Sequence, residues 1–192
     1  MKTVHVPTMP QRGFTLFELM IVMSIAAVLA ALAVPAMHSF LQTQQQISAV
    51  TNLMTSLQYA RSEAIKEDVP VAGANCTGTG VCVCASSNAT SCDPAGNWST
   101  GWIVYTSTNG GQVLEASGAL QPGLTMSATP AAPAVTYQPN GTTNLNALVE
   151  FTLCDSRGAA YARELEVDVA GNVQAASRPG YDVTGATALV CP

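Results

Sequence analysis

Six cysteines, a glutamate inside an apolar run and one compact acid-base pair are the residues of this 192-residue chain whose types and spacing suit chemistry. The cysteines are Cys76, Cys82, Cys84, Cys92, Cys154 and Cys191, the glutamate is Glu18, and the pair is Asp155 with Arg157. Four thiolates can hold zinc tetrahedrally. The spacing C-x5-C-x-C-x7-C matches no zinc ribbon, so neither a metal nor any other cofactor is expected. The only histidines, His5 and His38, stand at the N-terminal end, and no Ser/His/Asp or Cys/His set can form in the cysteine-bearing part. Asp155 and Arg157 read as a turn held by an ion pair rather than as catalytic groups. A non-enzymatic protein is the expectation.

The elements that carry these residues start with residues 14–37, a 24-residue run in which Glu18 is the sole charge. About 20 apolar residues cross a bilayer core as a helix. The whole chain is 48% hydrophobic and 10% charged, which suits one membrane segment joined to a polar domain. Lys2 and Arg12 precede the run with no acid between them, so the positive-inside bias keeps the leader in the cytoplasm and exports the rest. All six cysteines then lie in an oxidising compartment, where disulfides are the default. An ordinary secretory signal would offer Ala31-Leu32-Ala33 for cleavage, but its apolar region spans about 7 to 15 residues and carries no acid. The net charge is −5, and removing Lys2 and Arg12 leaves five basic against 12 acidic residues, −7, which argues against nucleic acid as a partner.

Beyond Pro35, Phe40, Ile47, Val50, Met54, Leu57, Ala60 and Ala64 recur mostly at spacings of three and four, predicting an amphipathic helix that continues the membrane helix. Val69-Pro70 should stop it near Asp68, and Pro35 should kink it. Short alternating runs follow, predicting strands at residues 81–85, 102–106, 112–116, 135–138, 148–154, 164–169 and 172–176. In 164–169 acids alternate with aliphatics, as in a strand with one face in water, and Ala170-Gly171-Asn172 is the expected turn to its partner. Residues 125–139, rich in Pro and Ala, read as an extended loop around the 135–138 strand, and Trp98 and Trp102 as packing residues. The fold class is α+β: one long N-terminal helix packed on a mostly antiparallel sheet. The expected divisions are a leader at 1–13, a transmembrane half-helix at 14–37, an amphipathic half-helix at 38–69 and a β-rich domain at 70–192. On a strand Cys82 and Cys84 share a face and should not bridge each other, which leaves two pairings with Cys76 and Cys92. Cys76–Cys82 with Cys84–Cys92 closes the shorter loops.

The leader, Gly13, Phe14, Thr15-Leu16-Phe17-Glu18-Leu19 and the apolar helix after them resemble the class III signal of type IV pilins and pseudopilins. The resemblance implies a type IV pilin fold, cleavage between Gly13 and Phe14 by a prepilin peptidase, and methylation of the new Phe14 amine. A lone carboxylate in a membrane helix costs about 3 kcal/mol on insertion scales, so Glu18 should meet a partner. By resemblance that partner is the Phe14 amine of a neighbouring pilin subunit, and the ion pair sets register as subunits leave the inner membrane for a filament. Leu57-Gln58-Tyr59-Ala60-Arg61-Ser62-Glu63-Ala64, Gly101-Trp102-Ile103-Val104-Tyr105 and Phe151-Thr152-Leu153-Cys154-Asp155-Ser156-Arg157-Gly158 are similar to the minor pilins of the GspH, FimT and FimU group. Cys154 with Cys191 resembles the C-terminal bridge common in pilins. The implied function is a minor pilin that primes or caps a type IV pilus after an inner-membrane, periplasm-facing precursor stage. The alternatives are a GspH-type pseudopilin of type II secretion and a FimT-like DNA-binding pilin. For the last, the Gly-Arg-x-Arg element of such pilins is matched by Gly171-Asn172-Val173-Gln174, without either arginine, leaving Arg157, Arg163 and Arg178 as candidate phosphate contacts.

Overall fold

Helix α1, Leu16–Glu67, has no glycine and is rich in Ala, Leu, Met and Gln, all good helix formers. Pro35 lies within it. It ends at Asp68, which takes a left-handed φ of 50° and still donates its N–H to the Ala64 carbonyl at 3.3 Å. The computed structural model describes residues 13–68, 76, 80–107 and 111–191, so the leader up to Arg12 and the Val69-Pro70 helix stop lie outside the described residues. Two compact units divide the chain, residues 1–41 and 42–192.

Among the described residues of the first unit the large apolar side chains are exposed. Phe14 is 88% exposed, and Leu16, Phe17, Met20, Val28 and Leu32 are exposed as well. An 18-residue window of α1 reaches a mean hydropathy of 2.5 with none of it buried, long and apolar enough to cross a membrane.

In the second unit α1 buries a stripe of Gln46, Ala49, Val50, Leu53, Ser56, Leu57, Ala60 and Ala64. The spacing is helical, but the stripe is rotated from the expected one: Phe40 and Ile47 are exposed and Met54 is only half-buried. Gln46, Ala49 and Ser56 lie in the buried stripe beside Leu53, Leu57 and Ala60. Leu53 and Leu57 are fully buried, each contributing about 1.5–3 kcal/mol from area removed from water.

Eight strands follow among the described residues: β1 Val81–Ala85, β2 Trp102–Thr106, β3 Gln112–Ser117, β4 Thr125–Thr129, β5 Ala134–Tyr137, β6 Val149–Cys154, β7 Arg163–Val167 and β8 Val173–Ala175. They form two antiparallel sheets, ordered β3-β2-β1-β5 and β4-β6-β7-β8, rather than one. One apolar core joins the α1 stripe with residues of both sheets. Trp98, just before β2, meets Phe151 of β6 edge-on at 4.8 Å and donates its indole N–H to the Ala132 carbonyl. Trp102 donates to the Ser56 hydroxyl, which in turn donates to Glu115 of β3.

Two expectations are corrected here. The stretch expected as loop contains β4, whose Thr-Met-Ser-Ala-Thr sequence has one large apolar residue, the buried Met126, and so shows little alternation. The strand is held by pairing with β6 and by the Ser99 hydroxyl, which accepts the Met126 N–H at 2.9 Å. On β7 the acidic face is not wholly in water. Glu164 is 2% exposed, because the C-terminal segment covers it and the Val183 N–H donates to its carboxylate at 2.8 Å.

Candidate functional site

Gly13 needs no glycine for internal reasons: a Cβ there would meet open space, and its φ is outside the left-handed region. Phe14 follows, almost fully exposed, and Thr15 precedes the first helical residue, Leu16. The Thr15 N–H and hydroxyl both donate to one Glu18 carboxylate oxygen at 2.9 Å, and the Glu18 N–H donates back to the Thr15 hydroxyl at 3.2 Å. This is a reciprocal capping box, stabilising because the first amides of a helix lack internal partners. Glu18 is therefore not without local donors. The Thr-x-x-Glu spacing at residues 15–18 is the sequence signal for it, overlooked because the surrounding apolar run dominates the reading.

A second polar centre lies in the β6–β7 connection. Arg157 forks onto Asp155, with Nε and an Nη at 2.9 and 2.7 Å from the same carboxylate oxygen, and both side chains are largely buried. Its other Nη donates to the Thr43 hydroxyl at 2.9 Å, its guanidinium reaches Gln46 at 3.5 Å, and it stacks on Tyr161 at 4.4 Å. Charge-assisted hydrogen bonds such as these are shorter and stronger than neutral ones. The turn expected from Asp155 and Arg157 is thus also a brace to α1, a long-range contact that no local spacing announces. Beside it Cys154 bridges Cys191.

The structure pairs Cys76 with Cys82 and Cys84 with Cys92, the shorter-loop alternative. The three arginines considered for phosphate are not presented alike. Arg157 is engaged as above, Arg163 is half-buried on β7, and Arg178 stacks on Tyr181 at 4.1 Å. The β7–β8 turn, where arginines would be needed, carries Asp168 bonded to Asn172 and is tied to α1 by Arg61, which donates to the Ala170 carbonyl.

An uncovered apolar helical half that starts at a Gly-Phe junction, continued by a helical spine beneath two antiparallel sheets, defines a pilin-like protein. The model of the type II transport protein GspH matches residues 49–171, more than half of the chain, and the chain belongs to this family of minor pilins and pseudopilins. The prokaryotic N-terminal methylation motif matches residues 8–34, which places Gly13, Phe14 and Glu18 inside it and implies processing by a prepilin peptidase and assembly with other pilins. Two crystal structures of the type IV minor pilin FimU from Pseudomonas aeruginosa share the fold. Each is 23% identical; one has a TM-score of 0.52 over 70% of this chain and 90% of its own, the other 0.50 over 67% and 90%. No curated protein matches the chain.

Proposed function

We propose that the protein is made as a single-pass inner-membrane precursor with a periplasmic domain, is cut between Gly13 and Phe14 and methylated on Phe14, and enters a type IV pilus at or near its tip. The observation that carries this reading is the bare apolar half of α1, opened by a methylation motif and holding one carboxylate. After cleavage the Phe14 amine of a neighbouring subunit competes with Thr15 for Glu18, and burial of like helices against one another supplies the assembly energy. The matched FimU structures are of a type IV minor pilin, which supports the pilus. The GspH match supports a second reading, a minor pseudopilin of type II secretion, with the same physics in another machine.

Shearing surface filaments from cells that express the tagged protein, with mass spectrometry of its N-terminus, separates these readings. The proposal predicts a mature chain beginning with N-methyl-Phe14 that co-purifies with type IV pili. Recovery only with secretion components would move the protein to the second machine, and an uncut leader would remove both readings.

A further inference from the structure

The Cys76–Cys82 and Cys84–Cys92 disulfides are immediate neighbours: all four sulfurs lie within 4.8 Å of one another. In a tetrahedral thiolate site with metal–sulfur bonds near 2.3 Å the sulfurs stand about 3.8 Å apart; the widest separation here is within about 1 Å of that, and the two bonded pairs would part toward it on reduction. We propose that the reduced form of this cluster is a binding site for one soft divalent ion of the zinc type, mutually exclusive with the two disulfides.

Features other than the disulfides hold three of the four ligands in place. Cys82 and Cys84 are fully buried on one face of β1, and β1 is paired on both sides, by β2 and β5. Cys92 is placed by its neighbours: the Asp93 N–H donates to the Ala85 carbonyl at 2.7 Å, and Asn88 accepts the N–H groups of Thr90 and Ser91. A cleft of about 450 Å³, bounded among the described residues by Cys76, Cys92, Asp93, Tyr105 and Pro133, opens onto the two outer cysteines. It gives a small thiol or an ion a way in, and the Asp93 carboxylate at its wall favours a cation.

The chemistry balances. A dithiol of the thioredoxin class delivers two electrons and two protons to each disulfide and leaves as a disulfide itself. The four thiols then release four protons as the divalent ion binds, giving a tetrathiolate with a net charge of −2. Oxidation by a disulfide donor removes two electrons per cysteine pair, re-forms both bridges and expels the ion. Cysteines destined to be bridged in an oxidising compartment are thiols when the chain is made, so the four ligands exist as thiols before the bridges form.

The test uses the full-length protein in detergent, reduced with a phosphine and titrated anaerobically with Co²⁺. The expected result is one Co²⁺ per chain with the intense visible absorption of a tetrahedral thiolate complex, displaced by Zn²⁺ and lost when a disulfide oxidant is added. Cys82→Ser with Cys84→Ser should abolish the spectrum. Cys76→Ser, which alters one outer ligand and leaves Cys82, Cys84 and Cys92, should keep a cobalt–thiolate spectrum with affinity lowered roughly tenfold or more, the equivalent of about 1.4 kcal/mol. No tetrahedral spectrum in the reduced wild type, or the same spectrum in the Cys82/Cys84 variant, overturns the proposal. Circular dichroism of the reduced, metal-free protein guards against misreading: a fold lost on reduction and not restored by Zn²⁺ also overturns it.

Discussion

Residues 14–41 and residues 42–191 of one chain treat apolar surface in opposite ways. The first stretch exposes nearly all of it and carries local polar contacts such as the Thr15–Glu18 cap and the Ser24 hydroxyl that donates to the Ile21 carbonyl. The second buries its apolar residues in a core shared by α1 and both sheets, adds three disulfides and braces the β6–β7 turn to α1 through Arg157. An apolar surface this large does not stay in water. The first region is written for lipid and neighbouring subunits, the second for itself.

The sharpest way to break that comparison is to damage the second region and ask whether the first notices. Leu53→Ala removes a fully buried side chain from the centre of the helix–sheet contact and should destabilise the domain by about 2–5 kcal/mol, read as a lower thermal midpoint. Membrane insertion should be unchanged. Cys154→Ser with Cys191→Ser opens a link across 37 residues, worth roughly 4 kcal/mol in the chain-entropy model and often less in practice. Urea titration of the double variant should show the loss, and an unchanged midpoint would mean that the hydrogen bonds of Gly180 to Ala162 and of Val183 to Glu164 hold the C-terminal segment without the bridge.

The smallest effect concerns Glu164. Burial raises its carboxyl above the ordinary range, the Val183 N–H opposes that rise, and the charges of Glu150, Asp182 and Glu166 add to it. A raised carboxyl contributes stability that is full below the ordinary value of 4.5 and is lost as pH climbs through the raised value. Glu164→Gln abolishes that loss, so its thermal midpoint should gain on the wild type as pH goes from acid to neutral. A difference that stays flat with pH would show that Glu164 titrates as an exposed acid.

The legible parts of the molecule were those with local signals. The membrane half of α1 is a composition, the strands at 81–85 and 102–106 are alternating runs, and Gly13-Phe14 with Glu18 is a motif. The parts that stayed hidden depend on partners distant in sequence. The core stripe of α1 is set by what the sheets bring against it, so Gln46 and Ser56 lie inside while Phe40 and Ile47 lie outside. β4 exists because β6 pairs with it. Glu164 is buried because residue 183 returns over it, and Arg157 finds Thr43 across more than a hundred residues. The Thr15–Glu18 cap has a local Thr-x-x-Glu signal that lies beneath the stronger apolar pattern.

The proposed assembly requires Glu18 to act between subunits rather than only within its own helix. Glu18→Ala, compared with wild type in membranes and in sheared filaments, tests this directly. Intersubunit pairing predicts an unchanged amount in the membrane and a drop in filament incorporation of roughly tenfold or more, the equivalent of about 1.4 kcal/mol per subunit. Incorporation at the wild-type level would contradict it and leave Glu18 as a helix cap.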